Sequence, residues 1–418
     1  MDTQIFIERR KKLVEQVVKN FLDKKGSIIL WANFETENGR FLQEATFFYF
    51  TGITEPGVAL KIDLDGTSTL YIPDTSGRRK EWVAGSFEKD DESLQRAGVD
   101  VIEYLGEPLQ GYVLSPLFAQ RNYKFLSDEV SKLPVLFTCH PRIGFNYVQQ
   151  VGILNHLKSW IKLPEVINIS SVVAQMRRQK SKAEIEQIFN AVRITTEAMI
   201  SVTALIKKGA NERDVEAGLS FVIKSSDAQA AYPAIVATGK NASILHYVQN
   251  NTVIKKGELL LIDCGASVNH YCSDLSRTFP VSGKFTKRQR ELYGFVLECQ
   301  DYIASLVRPG IWLNNKENPE NSLHHLAVEF FKKKGIERYF NHGIGHYLGL
   351  EPHDVGSYAE PLQEGDIIAL EPGLYIPDES IGIRIEDNYW VIKDGSHCLS
   401  EDLPKAPDDI ESLMKKSA

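Results

Sequence analysis

Four carboxylates fall into two pairs whose spacing suits a shared cation. Asp263 ends the apolar run Leu259-Leu-Leu-Ile-Asp263, and Asp274 follows in Tyr271-Cys-Ser-Asp-Leu-Ser-Arg-Thr278. An aspartate closing an apolar strand is buried on at least one side, and a lone buried carboxylate must find a cation, a hydrogen-bond cage or a proton. A hairpin turning at Val268-Asn269 would set Asp263 and Asp274 directly opposite each other, with Cα atoms ~5 Å apart. Glu371 and Glu386 repeat the arrangement about a turn in Pro377-Asp-Glu-Ser380. Like charges facing across a ladder repel, so two such pairs in one domain suggest a positive charge between them. Taken singly, each residue reads as a capped or solvated strand end. Arg277 beside the Asp pair and Arg384 beside Glu386 are alternative neutralising partners.

Three of the ten histidines lie within twelve residues, in His342-Gly-Ile-Gly-His346-Tyr-Leu-Gly-Leu-Glu-Pro-His353. The spacing of His342 and His346 imitates a zinc helix, but Gly343 and Gly345 oppose a helix and no HExxH is present. Glycines there instead permit close backbone approach by a loop or strand. His246, in Ser243-Ile-Leu-His-Tyr247, is uninformative alone. If one imidazole joined those carboxylates, the oxygen-rich set would suit Mn²⁺, Co²⁺ or Fe²⁺ at least as well as Zn²⁺. Cys264 adjoins Asp263, but alternation along a strand points its thiol to the opposite face.

The elements that must position these groups are legible in outline. A helix is predicted over about 5–22, with Leu13, Val17 and Phe21 on one face. Strands follow at 27–31, 58–62 and 68–72, bounded by turn residues and alternating with helices, which makes the first part an α/β domain. Sharper helical patterning begins after 163–179, so the expected domains are 1–168 and 176–410. Ser181-x-x-Glu184 and Thr286-x-x-Gln289 are capping boxes that start helices, the first running toward Gly209 and the second to about Val307. Further helices are expected from Asn211 and over about 322–334. Strands at 258–263, 272–281, 366–371 and 383–392 lie between and after them. Helices interleaved with hairpins indicate an α+β second domain.

Length and composition exclude several classes. With 418 residues the chain exceeds what one core usually serves. The formal net charge of −7 leaves no basic excess for phosphates, which argues against nucleic-acid or anionic-membrane binding. The basic runs Arg9-Arg10-Lys11-Lys12 and Lys332-Lys333-Lys334 sit in amphipathic patterns and read as solvated helix faces. Five cysteines without CxxC pairing suggest reduced thiols. The N-terminus lacks a signal peptide's apolar block and no run approaches the ~20 apolar residues of a membrane span, so a cytoplasmic protein is expected. No phosphate-binding glycine loop supports nucleotide chemistry.

Taken together, these residues resemble the metallopeptidases of the pita-bread fold, which include methionine aminopeptidase, aminopeptidase P and prolidase. Ile244-Leu-His-Tyr247, Leu261-Ile-Asp-Cys-Gly265, Ser276-Arg-Thr-Phe-Pro280, His342-Gly-Ile-Gly-His346, Glu371-Pro-Gly373 and Gly382-Ile-Arg-Ile-Glu-Asp387 look like ordered family signatures over roughly residues 175–405. Phe48-Tyr-Phe-Thr-Gly-Ile-Thr-Glu-Pro-Gly57 resembles the N-terminal domain of aminopeptidase P-like members. One departure is Ser276, where many relatives carry Thr.

The resemblance implies a pita-bread catalytic domain behind a smaller α/β domain. It also implies two divalent metals, manganese first among the candidates, held by Asp263, Asp274, His346, Glu371 and Glu386, with Asp274 and Glu386 bridging. The implied reaction is hydrolysis between an N-terminal residue and a following proline by a hydroxide between the metals. His246 would stabilise the oxyanion and Glu371 would carry the proton. His342 and His353 would line the substrate pocket, His353 at the carbonyl after the scissile bond, and Arg384, on the strand face of Glu386, would either orient that ligand or meet the substrate. Peptides with proline second are the expected partners, and a dimer or tetramer the expected assembly. Prolidase, restricted to Xaa-Pro dipeptides, is the alternative; an inactive pita-bread binding module and a metal-free creatinase-like hydrolase are opposed by the complete ligand set.

Overall fold

The computed structural model describes residues 2–35, 41–76, 81, 87–109, 120–140 and 148–416. They form two compact units, Met1–Arg177 and Arg178–Ala418.

The first unit opens with α1 (Thr3–Asn20), which starts two residues before the apolar periodicity because Asp2 caps it, accepting from the Gln4 amide. The next helix, α2 (Ala45–Thr51), corrects the reading of the first basic run. Lys11 and Lys12 are exposed, but Arg9 and Arg10 are buried. Arg9 donates to the Tyr49 carbonyl at 3.0 Å and lies 4.0 Å from the centre of that ring, and Arg10 donates to the Phe50 carbonyl at 2.8 Å. Carbonyls in a last helical turn lack intrahelical donors, and a long guanidinium can satisfy them while burying its stem. The second basic run, Lys332 to Lys334, is exposed as expected.

Six strands make one mixed sheet: β1 (Ser27–Trp31), β2 (Ala59–Asp63), β3 (Ser68–Ile72), β4 (Val101–Tyr104), β5 (Val135–Thr138) and β6 (Glu165–Asn168), ordered β4-β3-β2-β1-β5-β6. The first three pair antiparallel and the others join in parallel. Helices α3 (Asp91–Ala97), α4 (Lys124–Lys132), α5 (Val148–Trp160) and α6 (Ser170–Arg178) alternate with the later strands, giving the expected α/β unit. Ile29, Trp31, Leu126, Leu136 and Leu157 are central to its core.

In the second unit α7 (Lys182–Ser201) starts at the Ser181–Glu184 capping box. It stops short of the expected end near Gly209, passing into a 3₁₀ turn at Val202–Leu205. There the Thr203 hydroxyl donates to the Ile200 carbonyl at 2.6 Å, a local bond that competes with helix continuation. Next come α8 (Glu212–Ser225), capped by Asn211, α9 (Lys287–Leu306), started by the Thr286–Gln289 box, and α10 (Leu323–Lys333). The strands are β7 (Gln229–Ala230), β8 (Ile235–Thr238), β9 (Leu259–Cys264), β10 (Ala266–Val268), β11 (Tyr271–Cys272), β12 (Leu275–Pro280), β13 (Gly345–Tyr347), β14 (Ile367–Leu370), β15 (Gly373–Ile376), β16 (Ile381–Arg384), β17 (Asp387–Ile392) and β18 (Gly395–Cys398). Hairpins set among helices make this the α+β pita-bread unit, and its strands carry the candidate site.

Candidate metal centre

The first hairpin does not turn where its carboxylates suggest. Ladder β9–β12 pairs Asp263 with Ser276, and β10–β11 closes at Val268 and Tyr271 around Asn269 and His270. Both turn residues have positive φ, 47° and 69°, as a two-residue hairpin turn of type I′ demands. The expected turn at Val268-Asn269 would have forced a β-branched residue into that region. The register is therefore two residues away from the one that places Asp263 opposite Asp274. Because strand side chains alternate with period two, the slip keeps both carboxylates on one face, now diagonal to each other.

The second hairpin keeps the expected register. Leu370 pairs with Asp387 in β14–β17 and Gly373 with Arg384 in β15–β16, which places Glu371 opposite Glu386 at the junction of the two ladders. An isolated bridge between Ser276 and Glu386 joins the hairpins. One row thus crosses the sheets from Ile235 through Asp263, Ser276 and Glu386 to Glu371.

His346 enters from β13, paired with Ala369 of β14. A Cβ at Gly345 would collide with the Ala369 carbonyl oxygen, so this strand approaches closely only because glycine stands there. His346 Nδ1 lies 3.1 Å from the Tyr347 carbonyl, which fixes the tautomer and turns the Nε2 lone pair toward the carboxylates. Nε2 is 3.6 Å from Asp274 Oδ2, 3.8 Å from Glu386 Oε1 and 3.9 Å from Glu371 Oε1. Burial, then the neighbouring His353, lowers the imidazole to about 4, so it is neutral and free to ligate.

Three overlapping groups have ligand atoms within 4.8 Å of one another: Asp263, Asp274 and Glu386; His346, Glu371 and Glu386; and Asp274, His346 and His353. Asp274, His346 and Glu386 each belong to two. Burial pushes the Asp274, Glu371 and Glu386 carboxyls well above the ordinary range, with neighbouring carboxylates adding to the shift. Such a cluster takes up either protons or cations.

The chain matches the description Metallopeptidase family M24 over residues 186–393 and Aminopeptidase P, N-terminal domain, over 6–117. The human Xaa-Pro aminopeptidase 3 is 32% identical over 413 residues, covering 90% of this chain and 78% of the relative. The chain belongs to metallopeptidase family M24. This M24 chain also aligns with the mitochondrial intermediate cleaving peptidase 55 of Arabidopsis thaliana at 29% identity, over 98% of its own length and 82% of the relative's. Its fold superposes on aminopeptidase P from E. coli, solved with the inhibitor Pro-Leu, with a TM-score of 0.83 and 28% identity, covering 100% and 99% of the two chains. It is an Xaa-Pro aminopeptidase-like metallopeptidase, a hydrolase of the aminopeptidase P family with a dinuclear metal-site design. No helix among the described residues is long and apolar enough to cross a membrane.

The other predicted site residues surround the M24 carboxylates. His353 stacks on His346 with ring centroids 4.0 Å apart. His342 places Nε2 3.0 Å from Tyr375 Oη and Nδ1 3.8 Å from Glu371 Oε2. Burial, then the charge of Arg384, lowers it to about 4. His246 is exposed. The two arginines take partners other than those weighed from sequence. Arg277 is held by Asp387, not by the Asp pair, and Arg384 Nη2 meets Asp263 at 2.5 Å rather than Glu386. Arg384 also donates to Ser276 Oγ at 2.9 Å and to Tyr375 Oη at 2.8 Å.

Sequence reading missed three supporting residues. Tyr232 places Oη 2.7 Å from Asp263 Oδ1 and also meets Asp274 Oδ1. Tyr375 links Arg384 to His342. Glu212, fully buried, accepts from Thr238 N at 2.8 Å, Tyr247 Oη at 2.8 Å and Thr252 N at 2.9 Å, closing the loop that carries His246. Neither tyrosine lies in a motif, but Glu212 had a signal in its place on an apolar helical face.

Proposed function

We propose that this M24 chain removes an N-terminal residue that precedes proline, with Asp263, Asp274, His346, Glu371 and Glu386 as ligands to two divalent metals. The observation that carries this reading is that, of the four carboxylates, Glu386 and Asp274 each stand in two ligand groups while Asp263 and Glu371 stand in one, as ligands shared between two cations would. The donor set fits: four carboxylates offset two divalent charges, and the neutral imidazole completes an oxygen-rich site suited to Mn²⁺, with Co²⁺, Fe²⁺ and Zn²⁺ as alternatives. Two such cations acidify a water and polarise the scissile carbonyl.

The chain's own residues supply the rest. Glu371 moves the proton from the water to the leaving proline nitrogen. His246, on the closed loop between Thr238 and Thr252, steadies the oxyanion. His353 meets the carbonyl after the scissile bond, and His342 lines the proline pocket. Arg384, anchored on Asp263, orients that ligand. The Pro-Leu inhibitor of the E. coli relative supports a site with room beyond proline. Cytoplasmic residence belongs to the same proposal, supported by five free cysteines, four of them buried.

Metal-stripped protein reloaded with Mn²⁺ should release the first residue of Xaa-Pro-Yaa peptides. Cleavage confined to Xaa-Pro dipeptides would move the assignment to prolidase.

A further inference from the structure

Lys180 and Asp354 form an ion pair, Nζ to Oδ2 at 3.0 Å, in which each side chain is only 1% exposed. Asp354 directly follows His353. Taking two charges out of water is expensive, and apolar residues of similar volume often serve stability as well. What an ion pair adds is a fixed distance and direction, and the groups at its two ends show what is being fixed.

At one end is the loop that follows β13. The Asp354 amide donates to the Tyr347 carbonyl at 2.9 Å, the same oxygen that faces His346 Nδ1 at 3.1 Å. Backbone and side chain of Asp354 are therefore both held. The turn back onto Tyr347 brings the His353 ring over His346, with centroids 4.0 Å apart and planes 19° from parallel. Gly349 leaves room for the pair, because a Cβ there would collide with Asp354 Oδ2. His353 is exposed, so the ring beneath it and the backbone that carries it set its place.

At the other end, Lys180 is fixed to the ligand-bearing sheet. Its amide donates to the Gly365 carbonyl at 3.1 Å. Two residues earlier, Arg178 Nε and Nη2 donate to Asp366 Oδ1 and Oδ2 at 2.9 and 2.8 Å. Gly365 and Asp366 lead into β14, which pairs with the strand of His346 and runs up to Glu371. Lys180 thus reaches from the sheet that carries two of the proposed ligands to the residue after His353.

We propose that Lys180 is a positioning residue: through Asp354 it holds His353 over His346, where His353 meets the substrate carbonyl. The proposal rests on the Xaa-Pro aminopeptidase reading, which gives His353 that target. Lys180 touches neither substrate nor metal and acts only through His353. Without the ammonium, the buried Asp354 carboxylate loses that counter-charge and is drawn toward water, carrying the backbone of His353 with it.

The test is Lys180→Met in the metal-loaded full chain, read in two ways. The first is labelling of His353 by diethylpyrocarbonate, measured by mass spectrometry against exposed His397 on β18 as an internal control. The second is kcat/KM on Ala-Pro-Phe. The His353 to His397 labelling ratio should rise severalfold, metal content should stay at the wild-type value, and kcat/KM should fall by about 10- to 100-fold, the scale of a misplaced group. In a His353→Ala background the substitution should cost nothing further, because both changes remove one function.

An unchanged labelling ratio would overturn the assignment whatever the rate, and so would a raised ratio with an unchanged rate. A loss that persists in full in the His353→Ala background would overturn it too. Should Lys180→Met fail to fold, Lys180→Met/Asp354→Asn leaves no charge of the pair unmatched and carries the same test; failure of both to fold would make the pair structural and end the proposal. A wild-type protein that cleaves no Xaa-Pro peptide, with the labelling ratio still raised in the variant, would sink the peptidase reading and leave the anchoring of His353 standing.

Discussion

Ser276 and Glu386 are joined twice: the Glu386 amide donates to the Ser276 carbonyl at 3.1 Å, and the Ser276 hydroxyl donates to Glu386 Oε2 at 2.8 Å. The same hydroxyl accepts from Arg384 Nε at 2.9 Å. A buried serine thus couples the proposed bridging ligand on one hairpin to the arginine that holds Asp263 on the other.

Ser276→Ala should weaken metal binding by roughly 10–100-fold, the usual cost of losing a hydrogen bond that orients a ligand. Ser276→Thr keeps the hydroxyl and should stay near wild type. Metal titration of both variants checks this; equal affinity in Ser276→Ala would mean that Glu386 needs no such support.

Glu212→Gln should lower kcat/KM without changing metal content. Glu212 accepts bonds from both ends of the His246 loop and from Tyr247 between them, and a misplaced catalytic group costs on the order of 10²-fold. If the loss runs through His246, it should vanish when measured in a His246→Ala background. A full additional loss there would show a separate role.

Gly345→Ala should disrupt the approach of His346. Its Cβ would meet the Ala369 carbonyl of the neighbouring strand, a backbone atom that cannot swing aside. Overpacking of this kind costs about 1–3 kcal/mol, so the melting temperature should fall along with metal affinity. Melting curves with and without metal measure both effects.

Removing metal should make stability depend on pH in a definite direction. In the metal-free protein the Asp274, Glu371 and Glu386 carboxyls sit well above their unfolded values because they are buried together. Between those unfolded values, near 4, and the raised folded ones, the native state binds more protons than the unfolded state. Stability is then greatest at low pH and falls as pH rises through the folded values. Metal replaces those protons, so the gap in melting temperature between loaded and stripped protein should widen from pH 5.5 to 8. At a metal concentration of 100 Kd the gap corresponds to about 2.7 kcal/mol for one site. A gap that narrows with rising pH would contradict this account.

The sequence carried much of this site, and its failures were local. Helix starts were readable because Ser181, Asn211 and Thr286 have side chains that cap. The Glu371–Glu386 register was readable because Pro377 to Ser380 leaves one good place to turn. The Asp263–Asp274 register was not, because symmetric spacing of two acids says nothing about which residues tolerate positive φ; Asn269 and His270 decided it. Arg9 and Arg10 misled for a related reason: amphipathic spacing cannot see that a second helix ends over the same face. Tyr232 and Tyr375 come to the carboxylates from other segments, and only the folded chain brings them there.

The most direct test counts metal and turnover together. Elemental analysis of Mn²⁺-loaded protein should find two metal ions per chain, with release of the first residue from Ala-Pro-Phe abolished on stripping and restored on reloading. In Glu386→Ala the count should fall and cleavage should cease. Full cleavage by stripped protein, or an unchanged count with full activity in Glu386→Ala, would contradict the shared-ligand site.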